Sequence, residues 1–165
     1  MNGNGVIRMA QYEFVGFDAY MRQLDQLGQS TTGLCKRSIY DGAAVVADAV
    51  RAEVSALPVT DRNEDPQGVF EYERDGLLDG LGIAKIKDRD GVVSTRIDFD
   101  GYNRMRSKKY PQGHPNSMIA RAINAGTSKR AKNPFMKRAI NKSKSTALNA
   151  MSARMDADIN YIMKG

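Results

Sequence analysis

Ile83-Ala84-Lys85-Ile86-Lys87-Asp88-Arg89-Asp90-Gly91-Val92-Val93-Ser94-Thr95-Arg96-Ile97-Asp98-Phe99-Asp100 decides between an all-helical chain and a mixed one. Residues 83–87 alternate apolar and polar side chains, as a half-buried strand does. Asp90-Gly91 supplies a residue pair that tolerates the positive φ angles of a tight hairpin turn. Beyond it, Val93, Thr95, Ile97 and Phe99 fall on one face of a partner strand. The stretch predicts an antiparallel hairpin.

Helical periodicity dominates on the N-terminal side. Ile39, Ala43, Val46, Val50, Val54 and Leu57 form one apolar stripe. Thr31 or Thr32 is a candidate cap, and Pro58 ends the helix by disfavouring helical geometry before it. Lys36, Arg37, Asp41, Asp48, Arg51 and Glu53 read as its solvated face. A short helix is expected over about residues 18–27, from Tyr20, Met21, Leu24 and Leu27, with Asp18 as cap and Gly28 as stop. Phe14 and Phe17 read as extended, and residues 1–12 as a flexible terminus. Between the helix and the hairpin, residues 58–76 show no sustained period, and 61–75 are expected to form a long exposed loop.

On the C-terminal side, residues 101–116 read as a second long loop, with Arg104, Arg106, Lys108, Lys109 and His114 interleaved with Tyr102 and Tyr110. Residues 117–124 fit a helix or a strand. Ala125-Gly126-Thr127-Ser128 reads as a turn in which Gly126 suits a positive φ or a close backbone approach, and Thr127 can bond locally. Asn133 is a candidate cap and Pro134 a candidate first residue of a last helix. Its inner face would be Met136, Ile140, Ala147, Met151, Met155, Ile159 and Ile162, with Phe135 plugging the gap between helix and sheet. Gly126, Thr127, Pro134 and Phe135 are thus expected to determine the fold. The whole predicts one α+β domain over 1–165: a small antiparallel sheet packed against two long helices, plus a short N-terminal helix.

Composition narrows the function. The chain has 165 residues, 41% of them hydrophobic, so a core is expected. No apolar run reaches the length of about 18 residues that a membrane span needs. Cys35 is the lone cysteine and His114 the lone histidine. Disulfide, zinc and catalytic-triad readings therefore have no support, and a cytosolic product without cofactor or enzymatic activity is expected. Asp98 and Asp100 are a weak cation candidate, and Gly3-Asn4-Gly5 lacks the context of a phosphate loop. Charge is more informative. Residues 1–100 hold 11 Lys+Arg against 17 Asp+Glu, and residues 101–165 hold 14 against 2.

Leu57-Pro58-Val59-Thr60, Ala125-Gly126-Thr127-Ser128 and Asn133-Pro134-Phe135-Met136 occur in an order, around the expected hairpin, that resembles the tail-completion or neck family of long-tailed bacteriophages, also called minor tail components. The resemblance spans roughly residues 14–150 and is uneven. Asp75-Gly76-Leu77-Leu78 stands, beyond a longer insertion, where that family has a Thr-Gly-x-Leu phrase. Asn124-Ala125 replaces an acidic-aromatic pair. The resemblance implies a structural virion protein at the head–tail junction, made in the host cytoplasm. It would form a ring that joins the tail to the DNA-filled head. Its partners would be copies of itself, a head-closure or connector protein, a tail terminator or tail-tube protein, and the DNA of the channel, with no membrane. Across the subunit boundary, Glu71, Glu73 and Asp75 are expected to face Arg104, Arg106, Lys108 and Lys109. The alternative is a nucleic-acid-binding protein, in which the basic tract neutralises phosphates while Tyr102 and Tyr110 stack on bases.

Overall fold

The computed structural model describes residues 17–164. The expected flexible segment 1–12 and the extended stretch at Phe14 lie outside the described residues. The chain runs α1 (Phe17–Ser55), α2 (Glu71–Gly80), β1 (Leu81–Ile83), β2 (Lys87–Arg89), β3 (Val92–Ser94), β4 (Ile97–Phe99), α3 (Asn116–Ala125) and α4 (Phe135–Lys164). This is the expected α+β class.

The hairpin is present and built in two pieces. β1 pairs with β4, Leu81 opposite Phe99 and Ile83 opposite Ile97. β2 pairs with β3, Lys87 opposite Ser94 and Arg89 opposite Val92. Three residues, 84–86, stand against two, 95 and 96, between these ladders. The register therefore slips by one, as at a β-bulge. Asp90 (φ 53°) and Gly91 (φ 78°) make the turn that the sequence calls for. The inner half of the hairpin lies on the core through Leu81 and Phe99, while Val92 near the tip is 66% exposed.

Two expected helices are one. α1 continues through Gly28 for 39 residues. Gly28 meets nothing within 4 Å, so its only penalty is the backbone freedom it loses, about 1 kcal/mol. Thr31 is not a cap. Its hydroxyl donates to the Leu27 carbonyl inside the continuous helix. Phe17, expected to be extended, opens the helix.

α1 and α4 lie antiparallel along a seam that recurs every four residues. On α1 it holds Leu34, Ser38, Gly42, Val46, Val50 and Val54; on α4 it holds Phe135, Ala139, Ser143, Ala147 and Met151. A repeat longer than 3.6 residues calls for a right-handed wrap. Gly42 lets the backbones close: a Cβ there would lie 3.3 Å from the Ala147 carbonyl oxygen and 2.5 Å from Met151 Cγ. The Ser38 hydroxyl donates to the Met151 carbonyl at 2.9 Å. The expected inner face of α4 needs correction, because Ile140 is 45% exposed. Ser143 takes the seam position and satisfies its hydroxyl on the Ala139 carbonyl. The apolar pattern skips that position because its occupant is polar.

The core gathers Val50, Val54, Leu57, Val69, Leu77, Leu81, Phe99, Ile119, Ile123 and Phe135 where helices meet hairpin. Phe99 and Phe135 meet edge to face, centroids 6.1 Å apart. Residues 71–75, expected to be loop, form the first turn of α2, whose Glu73 carboxylate accepts the Phe70 N–H. Short α2 is held by packing of Gly76 and Leu77, which leaves no long period in the sequence. Residues 117–124, left open between helix and strand, are helical and lie within α3.

Replacing Gly28 with alanine in a continuous exposed helix should stabilise the chain by about 0.5–1 kcal/mol. Urea denaturation followed by far-ultraviolet circular dichroism measures this. A loss of stability or helicity would mean that the chain breaks at Gly28.

Candidate functional site

The irregular segment after β4 leaves the body and returns to the same place. Tyr102 bridges to Pro115, the Asn116 N–H donates to the Gly101 carbonyl, and the Asn103 N–H to His114. The Asn103 side-chain oxygen accepts the N–H groups of both Met105 and His114. Gly113 sits at φ 111°, where a Cβ would fall 1.8 Å from the Asn103 carbonyl oxygen. Ser107 and Tyr110 exchange backbone hydrogen bonds of 3.0 and 3.1 Å, which puts Lys108 and Lys109 at the corners of a tight turn. Tyr110 packs on His114 and its hydroxyl reaches Met118 at 3.6 Å. The 101–116 loop is irregular, as expected, yet closely cross-bonded.

The residues expected at the subunit boundary are placed unequally. Glu73 is buried. Its carboxylate oxygens accept Arg130 Nη2 at 2.9 and 3.1 Å, and Arg130 also donates to the carbonyls of Gln67 and Gly68. Asp75 lies 3.5 Å from both Arg74 and Arg104, and Glu71 lies 3.7 Å from Arg74. Arg104 and Asp75 thus do meet, but within one chain. Arg106, Lys108 and Lys109 are exposed and have no carboxylate partner among the described residues.

Two further carboxylates tie the acidic front to the basic back. Glu53, which the periodicity assigns to the solvated face of its helix, is only 7% exposed. It accepts Arg138 Nε at 2.7 Å and the Lys142 ammonium. Those hydrogen bonds, Lys142 first and Arg138 second, outweigh burial and hold the carboxyl below its ordinary range. Nearer the far end of the seam, Asp158 accepts Arg37 at 2.8 Å and Arg154 at 3.3 Å. Its carboxyl is lowered, chiefly by the Arg37 hydrogen bond. Buried carboxylates and their distant arginines follow no local pattern, which is why the sequence reading passes over them.

Of the four expected fold determinants, Gly126 caps α3 with φ 77°, and a Cβ there would come within 3.0 Å of the Lys132 N. Thr127 and Arg130 close the turn, and the Thr127 hydroxyl accepts the Lys129 N–H. The Pro134 carbonyl accepts the first bond of α4 from Arg138. Phe135 is fully buried. Asn133 is not the cap: its side chain accepts Arg138, while Asn124 caps the Met136 N–H from the end of α3.

Among the described residues, no group of His, Cys, Asp and Glu is arranged to hold a metal ion, and no helix is long and apolar enough to cross a membrane. Asp98 bonds Arg96 instead. The His114 ring packs on the Tyr110 ring, and Cys35 is half-buried in α1. An apolar groove of about 270 Å³ runs between the hairpin and the helix pair, lined by Ile39, Ala43, Val46, Ile97, Ala147 and Met151 among others. No family model, curated protein or solved structure matches this chain.

Glu53→Gln should cost about 1–3 kcal/mol at neutral pH, since charged hydrogen bonds to a buried carboxylate are lost. A depressed pKa contributes stability above the ordinary carboxylate range and loses it as acid carries the folded group through its titration. The gap between wild type and variant should therefore close as pH falls. Chemical denaturation across pH 7 to 3 measures it, and a constant gap would assign the loss to packing.

Proposed function

We propose that the chain is a non-enzymatic structural subunit of the phage head–tail junction, a virion protein that assembles as a ring and joins the tail to the DNA-filled head. The order of the Pro-Val, Gly-Thr and Pro-Phe phrases supports this reading. The observation that carries it is surface. The chain exposes 12087 Å², whereas a compact monomer of 18.2 kDa exposes about 8,100 Å². Granting residues 1–16 and 165 the full area of an unfolded chain, about 2,700 Å², still leaves the rest about 1,900 Å² above expectation. One chain buries about 800 Å² at a standard interface, so the excess is enough for two such contacts per copy, as a ring requires.

Much of this surface lies on the helix pair. By the Ser38–Met151 and Gly42–Ala147 contacts, Lys164 stands opposite about residue 25 of α1, so the first turns of α1 run roughly 12 Å past the end of α4. Tyr20 and Leu24 on this arm are 49% and 38% exposed, and Tyr161 at the end of α4 is 83% exposed. Neighbouring copies and the head-closure, terminator or tail-tube proteins are the partners such a surface would meet.

The experiment is electron microscopy of a lysate from a phage lacking this gene. Separate filled heads and finished tails are expected, rejoined when the purified chain is added; intact infectious particles would reject the reading. In the same add-back, Leu24→Glu with Tyr161→Glu should lower rescue at least tenfold with an unchanged circular-dichroism spectrum. Full rescue would remove the arm from the interface.

A further inference from the structure

Residues 101–155 contain no Asp or Glu and 13 Lys or Arg. Five of these cations are neutralised inside the fold: Arg104, Arg130, Arg138, Lys142 and Arg154. The other eight are exposed and have no ion pair among the described residues. Arg106, Lys108 and Lys109 crown the closed turn of the 102–115 excursion. Tyr110, reaching Met118, ties that turn to the first turn of α3. Arg121 follows Met118 by three residues, on the same exposed helix face. Lys129 lies just beyond the Gly126 cap. The strip extends about 15–20 Å, the length of the ten-residue α3 plus one turn at its end.

We infer that this strip, made by the 106–109 turn and the exposed face of α3, binds the phosphate backbone of double-stranded DNA without reading its sequence. One strand presents a phosphate about every 3.4 Å of axis, so the strip faces roughly four or five of them. The backbone that carries Arg106, Lys108 and Lys109 is fixed before contact by the Asn103 and Ser107–Tyr110 hydrogen bonds, which reduces the ordering cost of binding. A second copy of the chain fits less well. Among the described residues its unpaired carboxylates are scattered, and Asp61, Glu64 and Asp65 form a local group of three. Two of those, Asp61 and Asp65, already accept backbone N–H groups of their own turns. The inference stands apart from the assembly reading, because it concerns the free chain.

The test is fluorescence anisotropy of a labelled 20-base-pair duplex of random sequence with the purified full chain. Binding at 50 mM NaCl should weaken at least 50-fold by 200 mM, a log–log slope of about −3 to −5. Lys108→Gln, Lys109→Gln and Arg121→Gln together should reduce that slope by about 2–3, while Lys85→Gln with Lys87→Gln, on the hairpin, should leave it unchanged. Melting followed by circular dichroism checks that both variants fold. Absence of binding at 50 mM, or a triple variant that binds like wild type, would overturn the inference. So would capture of poly-glutamate but not duplex, which would give the strip to an acidic protein surface. None of these results depends on whether the phage add-back succeeds.

Discussion

Glu53 sits in the seam between the two long helices, one residue before the fully buried Val54 and three after Val50. A carboxylate there costs several kcal/mol of desolvation unless it is paired and hydrogen-bonded. Its partners, Arg138 and Lys142, are four residues apart on α4 and converge on its two oxygens from consecutive turns. Sliding α4 by one turn would remove a partner and misalign Gly42 with Ala147 and Met151. Small residues make the seam close, but they tolerate neighbouring registers. The ion pair supplies what they lack, a single register. Phe135 then falls over Phe99, and the hairpin is fixed to the helix pair through that edge-to-face contact.

The same interaction resolves the charge asymmetry. An acidic first hundred residues and a basic remainder suggest pairing between subunits. Much of the pairing occurs inside one subunit, through Glu53, Glu73, Asp75 and Asp158. Arg130 illustrates how far the local setting decides. It belongs to a basic run, Lys129-Arg130-Ala131-Lys132, yet it alone turns inward, where two carbonyls and the Glu73 carboxylate await its fork of donors.

The sequence discloses those features whose physics is local. Asp90-Gly91 names its own turn type, and Gly126 and Phe135 could be read from the conformational freedom and the bulk their places require. The continuity of α1 could not, because Ser30, Thr31, Thr32 and Gly33 beyond Gly28 are weak helix formers; the helix persists through them ahead of the packed positions that begin at Leu34 and Ser38, and packing is not visible in local propensity. α2 was hidden because ten residues with buried Glu73 and Gly76 present no apolar stripe. Glu53 and Ser143 were misread for one reason. Each is polar and buried, and its partner, a helix away or one turn back, is invisible to a periodicity count. Of the residues expected at the interface, Arg104, Arg106, Lys108 and Lys109 are exposed on the 101–116 loop, while Glu73 is buried on Arg130 and Asp75 meets Arg104 within one chain.

That loop is more than a connection. β4 ends at Phe99 and α3 begins at Asn116, and the Asn116 side chain already bonds the Asp100 carbonyl. Two residues would join the elements, yet the chain spends the stretch from Tyr102 to Pro115 on an excursion whose ends touch, the geometry of an Ω-loop. Keeping it costs conformational freedom and one unmet hydrogen bond: Gly101 and Gly113 are held at positive φ angles, and Asn103 leaves a buried amide nitrogen without a protein partner. Nothing in the core requires these concessions. Besides Asn103, Gly113 and their bonds, the excursion contributes to the body Arg104 on Asp75, Tyr110 on Met118, and Met105 in a cleft with Val59, Phe70 and Tyr72. What it does carry outward is Arg106, Lys108 and Lys109, like charges held close together with no acid to relieve them. A fold selected for stability alone would dispense with such a turn, and the anionic surface we propose for it is the outside partner that its unrelieved charge lacks.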